Sequence, residues 1–194
     1  MYVIFEGVDT TGKSTQVRLF EQKNPDVLAT KEPGGTPLGM KLREILLNGE
    51  AKASLYAELF LFLADRALHY DTVVQPHRDR RIVMSDRGFV SGIAYACANH
   101  EEIEGEFLLQ MNRLALHGTY PDKIVLFLTD EALIQKRLGV KENDAIEERG
   151  VSYLLRIQAI MRRIVKSLPI RYLEVDATQS VEAIYQQIEE FLHD

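Results

Sequence analysis

The sequence has one cysteine, Cys97, so no internal disulfide can form and a reducing compartment suits it. It has no surplus of basic residues. The formal net charge of -6 argues against a dedicated nucleic-acid binder, although a locally basic phosphate site is a separate question. It has no long apolar run: stretches such as Ile124–Leu128 are far too short to cross a bilayer. Met1-Tyr2-Val3-Ile4-Phe5-Glu6 lacks the basic start and apolar centre of a secretory signal. The expectation is a cytoplasmic protein with neither membrane nor nucleic acid among its partners. Repeats, low-complexity tracts and Gly-, Ser- or Pro-rich linkers are also missing, so the 194 residues are expected to form a single domain.

What is present is an ordinary globular composition, 46% apolar and 27% charged, arranged in a regular alternation. Short apolar runs at Tyr2–Phe5, Val27–Thr30, Arg81–Ser85, Lys123–Leu128 and Arg171–Val175 read as strands. The first, third and fourth are nearly continuous in Val, Ile, Leu, Met and Phe, as strands covered on both faces are. Segments of helical character lie between them: Lys13–Lys23, Pro37–Asn48, Ser54–Gln75, Phe89–Ala98, Gly105–His117, Glu131–Leu138, Val151–Ser167 and Val181–Leu192. Strands alternating with helices predict an α/β fold with a parallel sheet and right-handed crossovers. Ser54 with Glu58 marks the start of the longest helix, and Pro76 is expected to close it. Gly139–Gly150 has little to bury and is expected to be a solvated, mobile segment.

Gly7-Val8-Asp9-Thr10-Thr11-Gly12-Lys13-Ser14-Thr15 matches G-x-x-x-x-G-K-[ST]. Background frequencies produce such a match in about one chain in a hundred of this length. Here it also follows an apolar strand and opens a helix, the context the motif needs. Glycines let the backbone curl so that successive N–H groups point at phosphate oxygens, and the helix N-terminus adds partial positive charge. Lys13 is placed to reach the β- and γ-phosphates of a nucleoside triphosphate, and Ser14 to give its hydroxyl oxygen to magnesium.

The base-reading N-K-x-D of a GTPase is missing, and motor or transport ATPases usually need a larger chain. A small-molecule kinase fits the size, the strand pattern and a late polar segment able to act as a lid. Such a kinase must hold two phosphates in line and neutralise them, which calls for arginines outside the loop. Asp86-Arg87 directly follows the strand Ile82–Met84, at the carboxyl end where ligands bind in open α/β sheets. Leu55, Leu59, Phe62 and Arg66 share one helix face. Arg66 is then either an arginine snorkelling from a core stripe or, with Phe62, part of a base pocket.

Together, Gly7–Thr15, Lys31-Glu32-Pro33-Gly34-Gly35-Thr36, Phe62-x-x-x-Arg66, Asp86-Arg87-x-x-x-Ser91-x-x-Ala94-Tyr95 and Asp176-Ala177-Thr178 resemble the bacterial thymidylate kinases, in order over nearly the whole chain. The resemblance implies the P-loop NTPase fold: a five-stranded parallel sheet of order 2-3-1-4-5 flanked by helices, with a mobile lid at about 138–150. It implies phosphorylation of dTMP to dTDP with ATP and magnesium, in dTTP synthesis, usually by a homodimer. The alternative is a kinase for another nucleoside monophosphate or small acceptor.

By the same resemblance, Asp9 contacts the deoxyribose 3′-hydroxyl while Arg87 and Arg43 hold the 5′-phosphate. Phe62 and Arg66 take the base, with Ser91 and Pro33 beside the acceptor. Tyr95 crowds the 2′ position, Asp86 orients a magnesium-bound water, and Ala177 packs near adenine. A guanidinium suits thymine O4, an acceptor, where cytosine presents a donor. The expected catalytic groups are Lys13, Asp86, Arg87, Arg137 and Arg149. The last two are candidates because the family's lid pattern D-R-x-E aligns with Asp144-Ala145-Ile146-Glu147, which lacks its arginine. Gly88, Gly92 and Ala96 also depart from the family's commoner residues. Cys97 is expected to be a small buried helix residue, and His69, His77 and His100 to lie at the surface. Gly105–His117 carries mixed apolar faces that suit a dimer interface.

Overall fold

Along Tyr2–Glu6 (β1), Tyr2 and Ile4 face one side of a sheet and Val3 and Phe5 the other, and all four are buried. A strand covered on both faces must be central. β1 lies between Ile82–Asp86 (β3) and Lys123–Leu128 (β4), with Val27–Lys31 (β2) and Arg171–Asp176 (β5) at the edges. The order is β2-β3-β1-β4-β5 with every pairing parallel, the expected topology. The computed structural model describes residues 1–48, 54–100, 102–138 and 150–194.

Among the described residues the helices are α1 (Lys13–Lys23), α2 (Pro37–Asn48), α3 (Leu55–His69), α4 (Gln75–His77), α5 (Phe89–Asn99), α6 (Gly105–Ala115), α7 (Glu131–Leu138), α8 (Val151–Ser167) and α9 (Val181–His193). On one face Tyr2, Ile4, Val83, Ile124 and Leu126 pack against α5, α6 and α8. On the other, Val3, Phe5, Met84, Val125 and Phe127 meet Val17 and Phe20 of α1 and Ile184, Tyr185 and Ile188 of α9. Each such side chain contributes about 1.5–3 kcal/mol by leaving water, so these two layers fix which way the strands point.

One expected helix differs. Ser54–Gln75 is not a uniform α-helix: a wide π turn at Tyr70–Val74 separates α3 from α4, with Gln75 N–H donating to Tyr70 O. The wider turn keeps Tyr70 and Val74 both in the core and accommodates Pro76, which has no N–H to give. The chain leaves the helix at His77 rather than at Pro76 itself.

Candidate active site

The carboxyl ends of the strands, Glu6, Lys31, Asp86, Leu128 and Asp176, lie along one edge of the sheet, and the loops leaving them surround a cavity of about 700 Å³. The loop after β1 bends through left-handed backbone at Gly7 (φ 148°), Thr10 (φ 65°) and Gly12 (φ 95°). Only a glycine fits the first of these: a Cβ at Gly7 would stand 2.8 Å from the Phe127 carbonyl oxygen. Lys13, buried at the start of α1, donates to Val8 O at 2.7 Å and Thr11 Oγ1 at 3.3 Å. Burial, aided by the nearby Arg87 charge, pulls its pKa down to about 7. Ser14 Oγ donates to Asp86 Oδ2 at the end of β3.

Arg87 also has left-handed backbone (φ 72°) and ties its own N–H to Phe5 O at 2.9 Å. Its guanidinium donates to Gly7 O (2.9 Å), Ser91 Oγ (2.9 Å) and Asp9 Oδ1 (2.6 Å). Tyr95 OH donates to the other Asp9 oxygen at 3.2 Å. Burial works to raise the Asp9 pKa, but Arg87 and Lys13 outweigh it and hold the carboxyl below its ordinary value.

Behind Arg87 stands a residue the sequence reading passed over. Glu6 is fully buried and accepts from Val90 N (3.1 Å), Ser91 N (3.2 Å) and Ser91 Oγ, closing the first turn of α5 with its carboxyl group. Burial raises its pKa. A carboxylate ending an otherwise apolar, fully covered strand was the available signal.

The turn after β2 is held from α2 and α3. Arg43 of α2 donates to Pro33 O at 3.0 Å, and Asp65 Oδ1 of α3 accepts from Gly34 N at 3.1 Å. Arg66 is buried, its Nε donating to Glu32 Oε2 at 2.8 Å and its Nη1 to Asn112 Oδ1. His69 is not at the surface as expected. It is 0% exposed, between Glu32 Oε1 (2.7 Å) and Thr30 Oγ1 (2.8 Å). The turn presses on it so closely that a Cβ at Gly35 would lie 2.6 Å from its Cδ2, so no water can reach the ring there. Cys97 is half-buried rather than buried, and His77 and His100 are also half-buried.

Of the expected site residues, Asp9, Thr10, Thr11, Gly12, Lys13, Ser14, Thr15, Arg43, Asp86, Arg87, Arg137 and Ala177 line the cavity. Gly7 and Val8 stand behind the loop as hydrogen-bond acceptors, and Ser91 and Tyr95 join through Arg87 and Asp9. Pro33, Phe62 and Arg66 lie off its walls, Phe62 half-buried on α3. Arg137 of α7 donates to Thr10 O and, at 3.3 Å, to Ala177 O, so it bridges the phosphate loop and the loop after β5. Arg18 and Lys136, not singled out from the sequence, and Lys31, the first residue of the motif at 31–36, add positive charge to the same walls. Arg149 and all but the two end residues of the lid expected at about 138–150 fall outside the described residues.

For a magnesium ion the fit is good. Ser14 and Asp86 bring a hydroxyl and a carboxylate oxygen into contact beside the phosphate loop, both hard donors. Among the described residues no group of three or more His, Cys, Asp or Glu could hold a metal. Among the same residues no helix is long and apolar enough to cross a membrane.

A family model described as thymidylate kinase matches residues 5–188. A thymidylate kinase of Sulfurovum sp. (strain NBC37-1) is 51% identical over 192 residues, 99% of each chain. One of Campylobacter curvus (strain 525.92) is 49% identical over 193 residues, again 99% of each. The solved structure of thymidylate kinase from Ehrlichia chaffeensis matches with a TM-score of 0.78 at 24% identity, covering 100% of this chain and 98% of that one. At that identity the likeness speaks to the fold.

Proposed function

This chain belongs to the thymidylate kinase family and phosphorylates dTMP to dTDP in dTTP synthesis, and we propose that it does so with ATP and magnesium through the residues gathered at the carboxyl edge of its sheet. The observation that carries this reading is the position of Arg87, bonded at once to the phosphate loop at Gly7 O and to Asp9 and Ser91. One guanidinium then stands between a donor site and an acceptor site, where phosphoryl transfer needs positive charge.

In the reaction a 5′-phosphate oxygen of dTMP forms a bond to the γ-phosphorus of ATP, and the bond to the β–γ bridging oxygen breaks, leaving ADP. Lys13 trades Val8 O and Thr11 Oγ1 for the β- and γ-oxygens, with the loop N–H groups around the same phosphates. Ser14 and Asp86 hold the magnesium, which neutralises phosphate charge when bound. Arg87 and Arg43 take the acceptor phosphate, Asp9 the 3′-hydroxyl, and Tyr95 the space a 2′-hydroxyl would need. Arg137 supplies charge from the donor side, next to the adenine position at Ala177. Phe62 and Arg66 read the base, with Pro33 and Ser91 beside it.

Two further parts of the proposal concern partners and place. Exposed apolar side chains recur at helical spacing on α2 (Leu38, Ile45), α3 (Tyr56, Phe60) and α6 (Phe107, Leu114), which supports a homodimer. The activity and the single unpaired cysteine support a cytoplasmic setting.

The test is ADP release with ATP and magnesium against dTMP, dUMP, dCMP, thymidine ribonucleotide and non-nucleotide acceptors, with GTP as alternative donor. dTMP with ATP should give the highest kcat/KM, and dUMP a loss of about 10–200-fold for the missing methyl group. A preference for GTP would remove the donor assignment, and equal use of the ribonucleotide would remove the role of Tyr95.

A further inference from the structure

Glu32, on the cavity wall, and His69, off it, are among the most buried polar residues in the protein. Burial would raise the Glu32 pKa, but the Arg66 charge and the His69 hydrogen bond outweigh it, so the group is an anion. Each of its oxygens has its own donor: Oε2 receives Arg66 Nε at 2.8 Å, and Oε1 receives His69 Nδ1 at 2.7 Å, with Tyr2 OH at 3.4 Å. A carboxylate only accepts, so His69 Nδ1 carries a proton. In the neutral ring Nε2 then accepts from the Thr30 hydroxyl at 2.8 Å. The far side of Arg66 is fixed as well. Asn112 Nδ2 donates to Leu108 O at 2.7 Å, which turns Asn112 Oδ1 toward Arg66 Nη1.

The guanidinium end of Arg66 faces α5 at Gly92: a Cβ there would stand 3.7 Å from Nη2 and 3.8 Å from Nη1, at ordinary contact distance from both. Gly92 lies one turn before Tyr95, whose hydroxyl reaches Asp9. The space beside Arg66 therefore opens on the helix face that carries the acceptor contacts.

We infer that Glu32 and His69 are positioning residues for the acceptor base: they hold the Arg66 guanidinium so that its Nη2 edge meets a carbonyl oxygen of the base beside Gly92. The inference rests on the reading of Arg66 as the base-reading arginine. His69 is the better handle, because removing Glu32 would strand a buried guanidinium and endanger the fold. His69→Gln places an amide where Nε2 stands, keeping Thr30 but losing the donor to Glu32. His69→Asn places its amide nitrogen where Nδ1 stands and restores that donor.

The experiment compares dTMP with its analogue lacking the 4-oxygen, using wild type, His69→Gln and His69→Asn, with KM for ATP, kcat and thermal midpoints alongside. Wild type should prefer dTMP by about tenfold or more in KM. His69→Gln should lower that preference to about threefold or less by raising KM for dTMP, with KM for ATP and kcat changed less than about twofold. His69→Asn should recover most of the preference. No preference in wild type would overturn the reading of Arg66 itself. A preference in wild type that survives unchanged in His69→Gln would overturn the positioning role alone. Equal rises in KM for both substrates in both variants, with lowered thermal midpoints, would also overturn it by marking His69 as structural only.

Discussion

The phosphate loop and the turn after β2 face the same cavity and are built in opposite ways. The loop is tied together by its own side chains, Lys13 and Thr11 both donating to Val8 O a few residues away in the chain, while Arg87 and Arg137 reach in to Gly7 O and Thr10 O. The turn is held by charged side chains from a distant helix, Glu32 pairing with Arg66 and His69 on α3. The difference teaches where charge is held for chemistry and where it is held for shape. Lys13 has no carboxylate partner within bonding distance among the described ion pairs, and burial pulls its pKa down to about 7. Glu32 has a compensating cation and is held below its ordinary pKa.

The largest expected effect separates the two directly. Lys13→Met should lower kcat by about a thousandfold or more, about 4 kcal/mol of transition-state stabilisation. It should leave the thermal midpoint no lower, since it removes a buried cation that is costly to keep charged. Glu32→Ala should do the reverse to stability. Breaking a buried pair costs about 3–5 kcal/mol, or roughly 10 °C in a chain of this size. Calorimetric melting beside steady-state kinetics tests both, and equal destabilisation by the two substitutions would erase the contrast.

A middling effect is expected at Arg137, which belongs to neither region and spans from the loop at Thr10 O to Ala177 O. Arg137→Ala should lower kcat at least about tenfold, about 1.4 kcal/mol, with a smaller change in KM for dTMP. An unchanged kcat would move the donor-side charge to Lys136, Arg18 or a residue outside those described. A rise in KM for ATP alone would make Arg137 a binding group.

The same contrast explains what the sequence revealed. The strands were legible to within a residue at every end, because a strand covered on both faces must be almost purely apolar. The phosphate loop was legible because its function is carried by contiguous backbone, and Asp86-Arg87 because a strand end leaves little freedom in where it points. Glu6, Glu32 and His69 were not, because their partners lie 85, 34 and 37 residues away. A histidine on a helix looks the same in sequence whether it meets water or a buried carboxylate. Only the packing of α3 on the turn decides, and one signal of it was available: His69 shares the stripe of Arg66, one turn on.

The smallest effect involves no loss of rate. Before ATP enters, Lys13 has a pKa of about 7, so at pH 8 its amine is mostly neutral. A triphosphate in the loop brings negative charge to hydrogen-bond distance of that amine, which favours the charged form and raises the pKa. ATP binding at pH 8 should therefore take up close to one proton, on the scale set by a single titrating group. Titration calorimetry in two buffers of different ionisation heat measures this as a difference in observed binding heat. The uptake should disappear toward pH 6, where the amine is already protonated, and should be absent in Lys13→Met. Equal heats in the two buffers at pH 8 would mean that the lysine is charged before the phosphates arrive. The loop would then resemble the turn after β2, with its charge already compensated by the protein.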